Sequence, residues 1–360
     1  MAYICGMGMI SPQNSLDNMI PPVIGETAAR FLTCREPDYK QFLSSRQSRR
    51  MSRITRMGVC AAIISLREAG VKIPDAIITG TGLGCMQDTE TFLRQIAEND
   101  EAFLIPTSFI HSTHNTIGSQ VALVMGCTGY NQTYTHKSVS FESALQDGLL
   151  WLEDDPQKKI LVGGMDEIVP SAFKIQDRLG YWKRCPTRCL DLLNSNSKGT
   201  IAGEGAGFFC LSKAAAGTIP VRVSSVSTFY RPESIETIHR HLADFLSDNH
   251  KSMTDIDLLM LGVNGDIKND SLYHQLGART FKGRNRVGYK HLCGEYSTST
   301  AFAMWLGTNI IQQGHVPNYL KLNPFEAGSV DSVLVYNHFQ NRNHSLLLLE
   351  KTGHRLPTPV

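Results

Sequence analysis

An α/β protein with mainly parallel strands is what this 360-residue chain predicts, on three observations. Short apolar runs alternate with longer stretches of helical periodicity, so strands and crossover helices follow one another. Glycine turns stand where apolar runs end, as at Gly163-Gly164-Met165-Asp166-Glu167, a place where backbone must approach something closely. Apolar residues make up 42% of the chain, enough to bury one large core or two fused ones.

The chain starts Met1-Ala2-Tyr3-Ile4-Cys5-Gly6-Met7-Gly8, which reads as an immediate strand over 2–6 and a turn. A basic segment followed by an apolar stretch is missing there, so no signal peptide is expected. A helix over 51–69 precedes a strand over 76–81, which enters the glycine loop Thr79-Gly80-Thr81-Gly82-Leu83-Gly84. Helices are predicted over 88–99 and 117–125. The stretch Gly129-Tyr130-Asn131-Gln132-Thr133-Tyr134-Thr135-His136-Lys137-Ser138-Val139-Ser140 then ends a loop and opens an amphipathic helix over 139–153. Strands over 159–162 and 207–211 complete this first series. After a small Ala-rich connector around 213–217 a second series begins, with strands over 221–227, 258–263 and 345–350 and helices over 234–247 and 298–313. Two halves are expected, residues 1–213 and 218–351, packed as one body because no Pro/Ser/Gly-rich run separates them. The tail 352–360 is expected to be loosely held.

Charged residues make up 19% and the formal net charge is +2, so no strong field points at nucleic acid or a membrane. No apolar run of about 18 residues implies a membrane-spanning helix. The one dense basic run, Arg46-Gln47-Ser48-Arg49-Arg50-Met51-Ser52-Arg53-Ile54-Thr55-Arg56, reads either as a solvated helix face or as a docking patch for an acidic partner. Nine scattered cysteines fit a reducing cytoplasm better than a disulfide scaffold. Cys185-Pro186-Thr187-Arg188-Cys189 is the one close pair and has no matching second pair, so neither a metal nor a cofactor is expected.

Several further motifs fall in a telling order: Ile4-Cys5-Gly6-Met7-Gly8-Met9-Ile10-Ser11-Pro12, Arg49-Arg50-Met51-Ser52-Arg53, the glycine loop from Thr79, Gly163-Gly164-Met165-Asp166-Glu167, Gly203-Glu204-Gly205-Ala206-Gly207 and Lys290. Together they resemble the β-ketoacyl-acyl-carrier-protein synthases, whose motifs read TGxGxxSP, RRMDR, GTGxGG, GGxEA and GEGAG. The resemblance runs from residue 4 to about residue 351. It implies the thiolase fold, a five-layered α-β-α-β-α sandwich of two similar halves, usually a dimer. The loop from Thr79 would also suit a dinucleotide site, but the ordered set fits the ketosynthase frame better.

In that family a cysteine sits at the helix N-terminus of the nucleophile elbow, where the thiol pKa is lowered and backbone N–H groups face a developing oxyanion. The residue matching it here is Ser138, a far less acidic hydroxyl that needs an adjacent base. The lysine of the family's KxxxGH motif is matched by Lys290 in Lys290-His291-Leu292-Cys293-Gly294-Glu295, and Glu295 stands at the catalytic histidine. A carboxylate there would repel an enolate. The other catalytic histidine, from NAHGT, is missing from Leu261-Gly262-Val263-Asn264-Gly265-Asp266-Ile267-Lys268-Asn269-Asp270. The NSFGFGGHN gate reads Asn337-His338-Phe339-Gln340-Asn341-Arg342-Asn343-His344-Ser345, with every glycine replaced. The gate loop thus falls on Phe339, Gln340 and Asn341, with Asn341 and Asn343 the residues able to take left-handed backbone. His136, His291, His338 and His344 are the candidate acid–base groups, read either as members of a Ser138–His–Glu295 triad or as turn caps. Ser138 itself also reads as a plain helix N-cap.

These departures are those of the family's non-condensing members, the chain-length factors. The resemblance then implies a subunit inactive alone, paired with an active ketosynthase in a bacterial type II fatty-acid or polyketide/polyene pathway. An acyl carrier protein would be a partner, docked through Arg49, Arg50 and Arg53, and the dimer edge strand is expected near 130–135. Two other readings stay open: a serine-dependent acyltransferase or thioesterase using Ser138, and a homodimeric acyl- or carrier-binding protein. Neither nucleic acid nor membrane insertion is implied, and a cytoplasmic location is expected.

Overall fold

Residues Ala2–Ile10 form β1, buried along its length except at Tyr3. It is apolar without alternation because both of its faces are covered. A Cβ at Gly6 or Gly8 would lie 2.2 or 2.1 Å from the carbonyl oxygens of Ser65 and Ala61. Those oxygens belong to α1 (Arg53–Glu68), so the helix lies directly on the strand and only glycine fits beneath it. The structure, a computed structural model, describes residues 1–353 apart from 26–27, 103, 105, 216–217 and 327. The expected connector and tail therefore lie partly outside the described residues.

Four more strands build the first sheet: β2 (Ala76–Gly80), β3 (Tyr130–Tyr134), β4 (Lys159–Asp166) and β5 (Gly205–Ser212), in the order β1-β5-β4-β2-β3. Five others follow: β6 (Val221–Tyr230), β7 (Leu258–Leu261), β8 (Arg286–Gly288), β9 (Ser332–Phe339) and β10 (Asn343–Lys351). Their order, β6-β10-β9-β7-β8, repeats the first. The senses repeat as well: the two pairs nearest each outer edge are parallel and the rest antiparallel. The sheets meet where Ala2 pairs with Val223 and Tyr3 with Arg222.

Helices supply the remaining layers. On the outer face of the first sheet lie α1 and α3 (Thr116–Met125). The outer face of the second is covered by α6 (Ile235–Asp248) and α7 (Ile267–Ala278). Between the sheets run α4 (Ser140–Asp154) and α8 (Thr300–Gln313). Every residue of α8 from Thr300 to Ile311 is buried, because a helix packed against two sheets has no solvent face. Phe302 and Trp305 are wholly buried there, each contributing about 2–3 kcal/mol of hydrophobic stabilisation. The five-layered thiolase-like architecture follows, with α2 (Met86–Glu98) and α5 (Pro170–Arg178) outside it near one end of the first sheet.

Strands β8 and β9 and helices α5 and α7 were not anticipated from periodicity. The two helices, PSAFKIQDR and IKNDSLYHQLGA, lack a clean apolar stripe. Most of the expected gate loop is strand: Asn337 to Phe339 and Asn343 to Ser345 face one another in the β9–β10 ladder. β3 lies at the free edge of its sheet. Among the described residues no helix is long and apolar enough to cross a membrane, and no cluster of three or more His, Cys, Asp or Glu residues could hold a metal.

Candidate functional site

Each half sends its third strand into a tight turn aimed at the central layer. In the second half β8 leads through Tyr289 to Lys290, Gly294 and Glu295. Gly294 has φ +75°, and a Cβ on it would lie 2.5 Å from the Ala202 carbonyl oxygen. That close approach sets the Glu295 N–H on Ile201 O at 2.8 Å and the Gly203 N–H on Glu295 O at 2.9 Å. The carboxylate so placed accepts Lys290 Nζ at 2.9 Å on Oε1 and 2.7 Å on Oε2, and Asn264 Nδ2 at 2.7 Å on Oε2. All three side chains are buried.

Asn264 is held as tightly as the carboxylate it serves. Its N–H and that of Gly265 donate to the two oxygens of Asp270, at 3.0 and 2.7 Å. Thr200 Oγ1 donates to Asn264 O and Lys183 Nζ to Gly265 O, both at 2.6 Å. Burial raises the Asp270 carboxyl to about 6 against the pull of those two N–H groups. Burial likewise lowers the Lys183 ammonium, whose further partners are Ser195 and Ser197. None of Asn264, Asp270 and Lys183 stood out in the sequence.

In the first half β3 leads to Ser138. Lys137 has φ +53°, and the chain turns there into α4. Ser138 is buried, and its Oγ accepts Asn343 Nδ2 at 2.9 Å. The triad expectation is corrected at this point, since no histidine among the described residues hydrogen-bonds Ser138. His136 is exposed and its Nδ1 meets Ser143 Oγ at 3.0 Å, because the turn at Lys137 separates it from Ser138. His338 Nδ1 accepts the Asn341 N–H at 3.2 Å, and its ring stacks on Tyr273. His344 Nδ1 meets the Tyr336 hydroxyl at 3.0 Å, and its ring stacks on Phe229. Burial lowers the pKa of His291 and of His344 to about 4, and of His338 still further. Four residues beyond Ser138 lies the wholly buried Glu142, whose pKa burial raises against the pull of the Thr300 and Ser345 hydroxyls.

The gate is a hairpin turn. Gln340 and Asn341 both have φ +53°, and Arg342 N–H donates to Phe339 O at 3.0 Å, the pattern of a type I′ turn. Asn341 takes left-handed backbone as expected; Asn343 instead begins β10. Phe339 meets Tyr181 edge to face. This turn forms one wall of a cavity of about 300 Å³ whose floor includes Asn264 and Glu295 and whose side is Phe173 and Trp182. Ser138 and Lys290 are not among its lining residues. Glu167, also on the wall, is raised by burial to about 7 despite accepting the Gln87 N–H.

The basic run divides. Arg53 binds the buried Glu204 through two bonds of 2.7 and 2.5 Å and Glu36 at 2.5 Å, so its charge is engaged within the fold. Glu204, from the GEGAG motif, also takes the N–H groups of Cys34 and Ile168 and so joins four segments. Arg49 and Arg50 are exposed.

The fold is thiolase-like, the architecture of solved ketosynthase structures. Residues 29–202 match the family model described as the β-ketoacyl synthase N-terminal domain. A 3-oxoacyl-[acyl-carrier-protein] synthase 2 from Synechocystis sp. is 21% identical over 221 residues, 57% of this chain and 52% of that protein. The chain thus spans about half the length of the curated relative it matches. The ishigamide ketosynthase/chain length factor structure superposes with a TM-score of 0.82 at 18% identity, covering 98% of this chain and 99% of that one. A ketosynthase in complex with its chain length factor from Xenorhabdus doucetiae gives 0.75 at 14% identity, covering 98% of each chain. The chain is thus similar to β-ketoacyl synthases over residues 29–202 and shares the fold of ketosynthase and chain-length-factor structures.

Proposed function

We propose that this chain is a non-condensing subunit of the chain-length-factor type, which pairs with an active ketosynthase in bacterial type II fatty-acid or polyketide/polyene synthesis and works beside an acyl carrier protein. The observation that carries the reading is the Lys290–Glu295–Asn264 network. Decarboxylative condensation needs donors free to meet an enolate oxygen. Here the Asn264 amide and two bonds of the Lys290 ammonium go to Glu295, whose negative charge disfavours a second anion. At the elbow, Ser138 accepts an amide and has no hydrogen bond, among the described residues, to a base that could activate it. The alternative serine-dependent acyltransferase finds no support in that geometry.

The test is intact-protein mass after incubation with acyl- and malonyl-carrier thioesters, with Ser138→Ala as control. We expect no adduct and no carbon dioxide release from the chain alone, and a stable hetero-pair on co-expression with a ketosynthase. An adduct lost in Ser138→Ala would favour the serine enzyme instead. Condensing activity from the isolated chain would falsify the reading. The open cavity favours one second reading, a homodimeric acyl- or carrier-binding protein; that version would ignore the ketosynthase.

A further inference from the structure

The two helices on the outer face of the first sheet end in the same way. α1 closes at Gly70, φ +65°, whose N–H donates to Arg67 O at 3.2 Å while the Val71 N–H donates to Leu66 O at 2.9 Å. α3 closes at Gly126, φ +70°, with the Cys127 N–H on Ala122 O at 3.0 Å. A left-handed glycine turn of this kind folds the next apolar residue back over the last turn of its helix, here Val71 towards Leu66.

Between the two helix ends lies an open groove of about 610 Å³. Ile63 and Leu66 are buried beneath it, and the half-buried Phe42, Val71, Val124 and Met125 complete its apolar surface. Its charged lining is Arg67 and Lys72, both exposed and neither in an ion pair among the described residues. The Arg67 guanidinium lies over the Phe42 ring, 5.2 Å from its centroid, so charge sits directly on the apolar wall. Among the described residues no acid lines the groove. Glu68, the neighbour of Arg67, is engaged by the Met7 N–H at 2.7 Å and by Asn18 at 3.2 Å. Each helix end brings about half a negative charge, and two full cations outweigh the pair. The groove therefore suits an apolar chain with an anionic end.

Its place separates it from the elbow. Residues 70–72 and 124–125 precede β2 and β3, whereas Ser138 follows β3, so the groove lies at the opposite end of these parallel strands. It shares no lining residue with the cavity beside the hairpin turn. We infer that this groove binds a free fatty acid, its acyl chain between α1 and α3 and its carboxylate on Arg67 and Lys72. Held there, the acid is a ligand remote from the elbow and not a substrate of it. The inference goes beyond the non-condensing reading and does not depend on it.

Dodecanoate binding to the whole chain is measured by isothermal titration calorimetry at neutral pH, below the micellar concentration. Decanoate should bind about tenfold more weakly, because two buried methylenes are lost. Dodecyltrimethylammonium, with the same chain and the opposite charge, should also bind at least about tenfold more weakly. Arg67→Glu/Lys72→Glu should weaken dodecanoate binding at least about tenfold, and the milder Arg67→Gln/Lys72→Gln about threefold to fivefold. Lys268→Glu/Arg342→Glu, at the cavity, should change it less than about twofold. Circular dichroism checks that each variant folds, and the glutamine pair decides the matter if the glutamate pair does not. Absence of binding, equal binding of the cationic amphiphile, or a larger loss from the cavity pair than from the groove pair overturns the inference. Phosphatidylglycerol vesicles should not retain the chain. Retention that needs Arg67 and Lys72 would make the ligand a membrane surface and overturn the assignment to a free acid.

Discussion

Ser138 and the Lys290–Glu295 turn occupy equivalent places in the two halves, each following the third strand and leading into a central helix, yet they are built with unequal care. The second-half turn is fixed by groups from five segments, and the backbone N–H and C=O of both Asn264 and Gly265 are bound by side chains. At the first-half elbow the Ser138 hydroxyl has one neutral side-chain partner, Asn343, and Glu142 is buried behind it. The floor is thus held by a charged network, whereas Ser138 has one neutral side-chain partner.

That contrast can be broken most sharply at the floor. Glu295→Ala leaves the Lys290 ammonium buried without a counter-charge and should cost about 3–5 kcal/mol in equilibrium denaturation. Replacing both partners by methionine should recover most of that loss, as expected when a buried pair is removed whole. Arg53→Ala, which strands the buried Glu204, should cost about 3 kcal/mol. If either single change is neutral, the networks are not what holds these segments.

Acid distinguishes the halves next. The His344 pKa of about 4 lies below its unfolded value near 6.5, so the unfolded chain binds more protons between those values. Its contribution is intact above pH 6.5 and is lost as pH falls towards 4, by about 3 kcal/mol in all. His291 behaves alike. The His344→Phe variant, which keeps the stack on Phe229, should flatten the stability–pH curve in that window. An unchanged slope would remove His344 from the account.

The smallest effects belong to the elbow and the basic run. Ser138→Ala should cost about 1 kcal/mol, the worth of one neutral hydrogen bond. Arg49→Ala should move the denaturation midpoint by less than the equivalent of about 0.5 kcal/mol. A Ser138→Ala loss as large as that of Glu295→Ala would erase the contrast between the two turns.

The alternating runs showed the α/β class and a helix over 298–313, whereas the five layers followed from the family resemblance. Motif order located Ser138, Lys290 and Glu295. What it did not show was pairing over distance. Arg53 looks like Arg49 and Arg50 in the run, because its partner Glu204 lies 151 residues away. Asn264 lies in a loop without periodicity, and Asp270 in a helix whose polar pattern hides it. The triad failed because spacing cannot report the turn at Lys137 that points His136 towards Ser143. The gate was read as a loop because the family's glycine-rich motif served as its template, although Ser-Val-Leu-Val-Tyr-Asn-His-Phe is itself a strand pattern.

The helix α8 carries one more consequence, for how the molecule can be divided. It belongs by sequence to the second series but packs against β1, β4 and β5 of the first sheet. A fragment cut between β5 and β6 would leave it with one apolar side bare, and the first fragment would lack the cover of its inner face. Neither piece should stay soluble by itself, whereas the two expressed together should reassemble by complementation. Contacts so distant along the chain also close late, so the polar floor beneath the cavity should be among the last parts to form during folding.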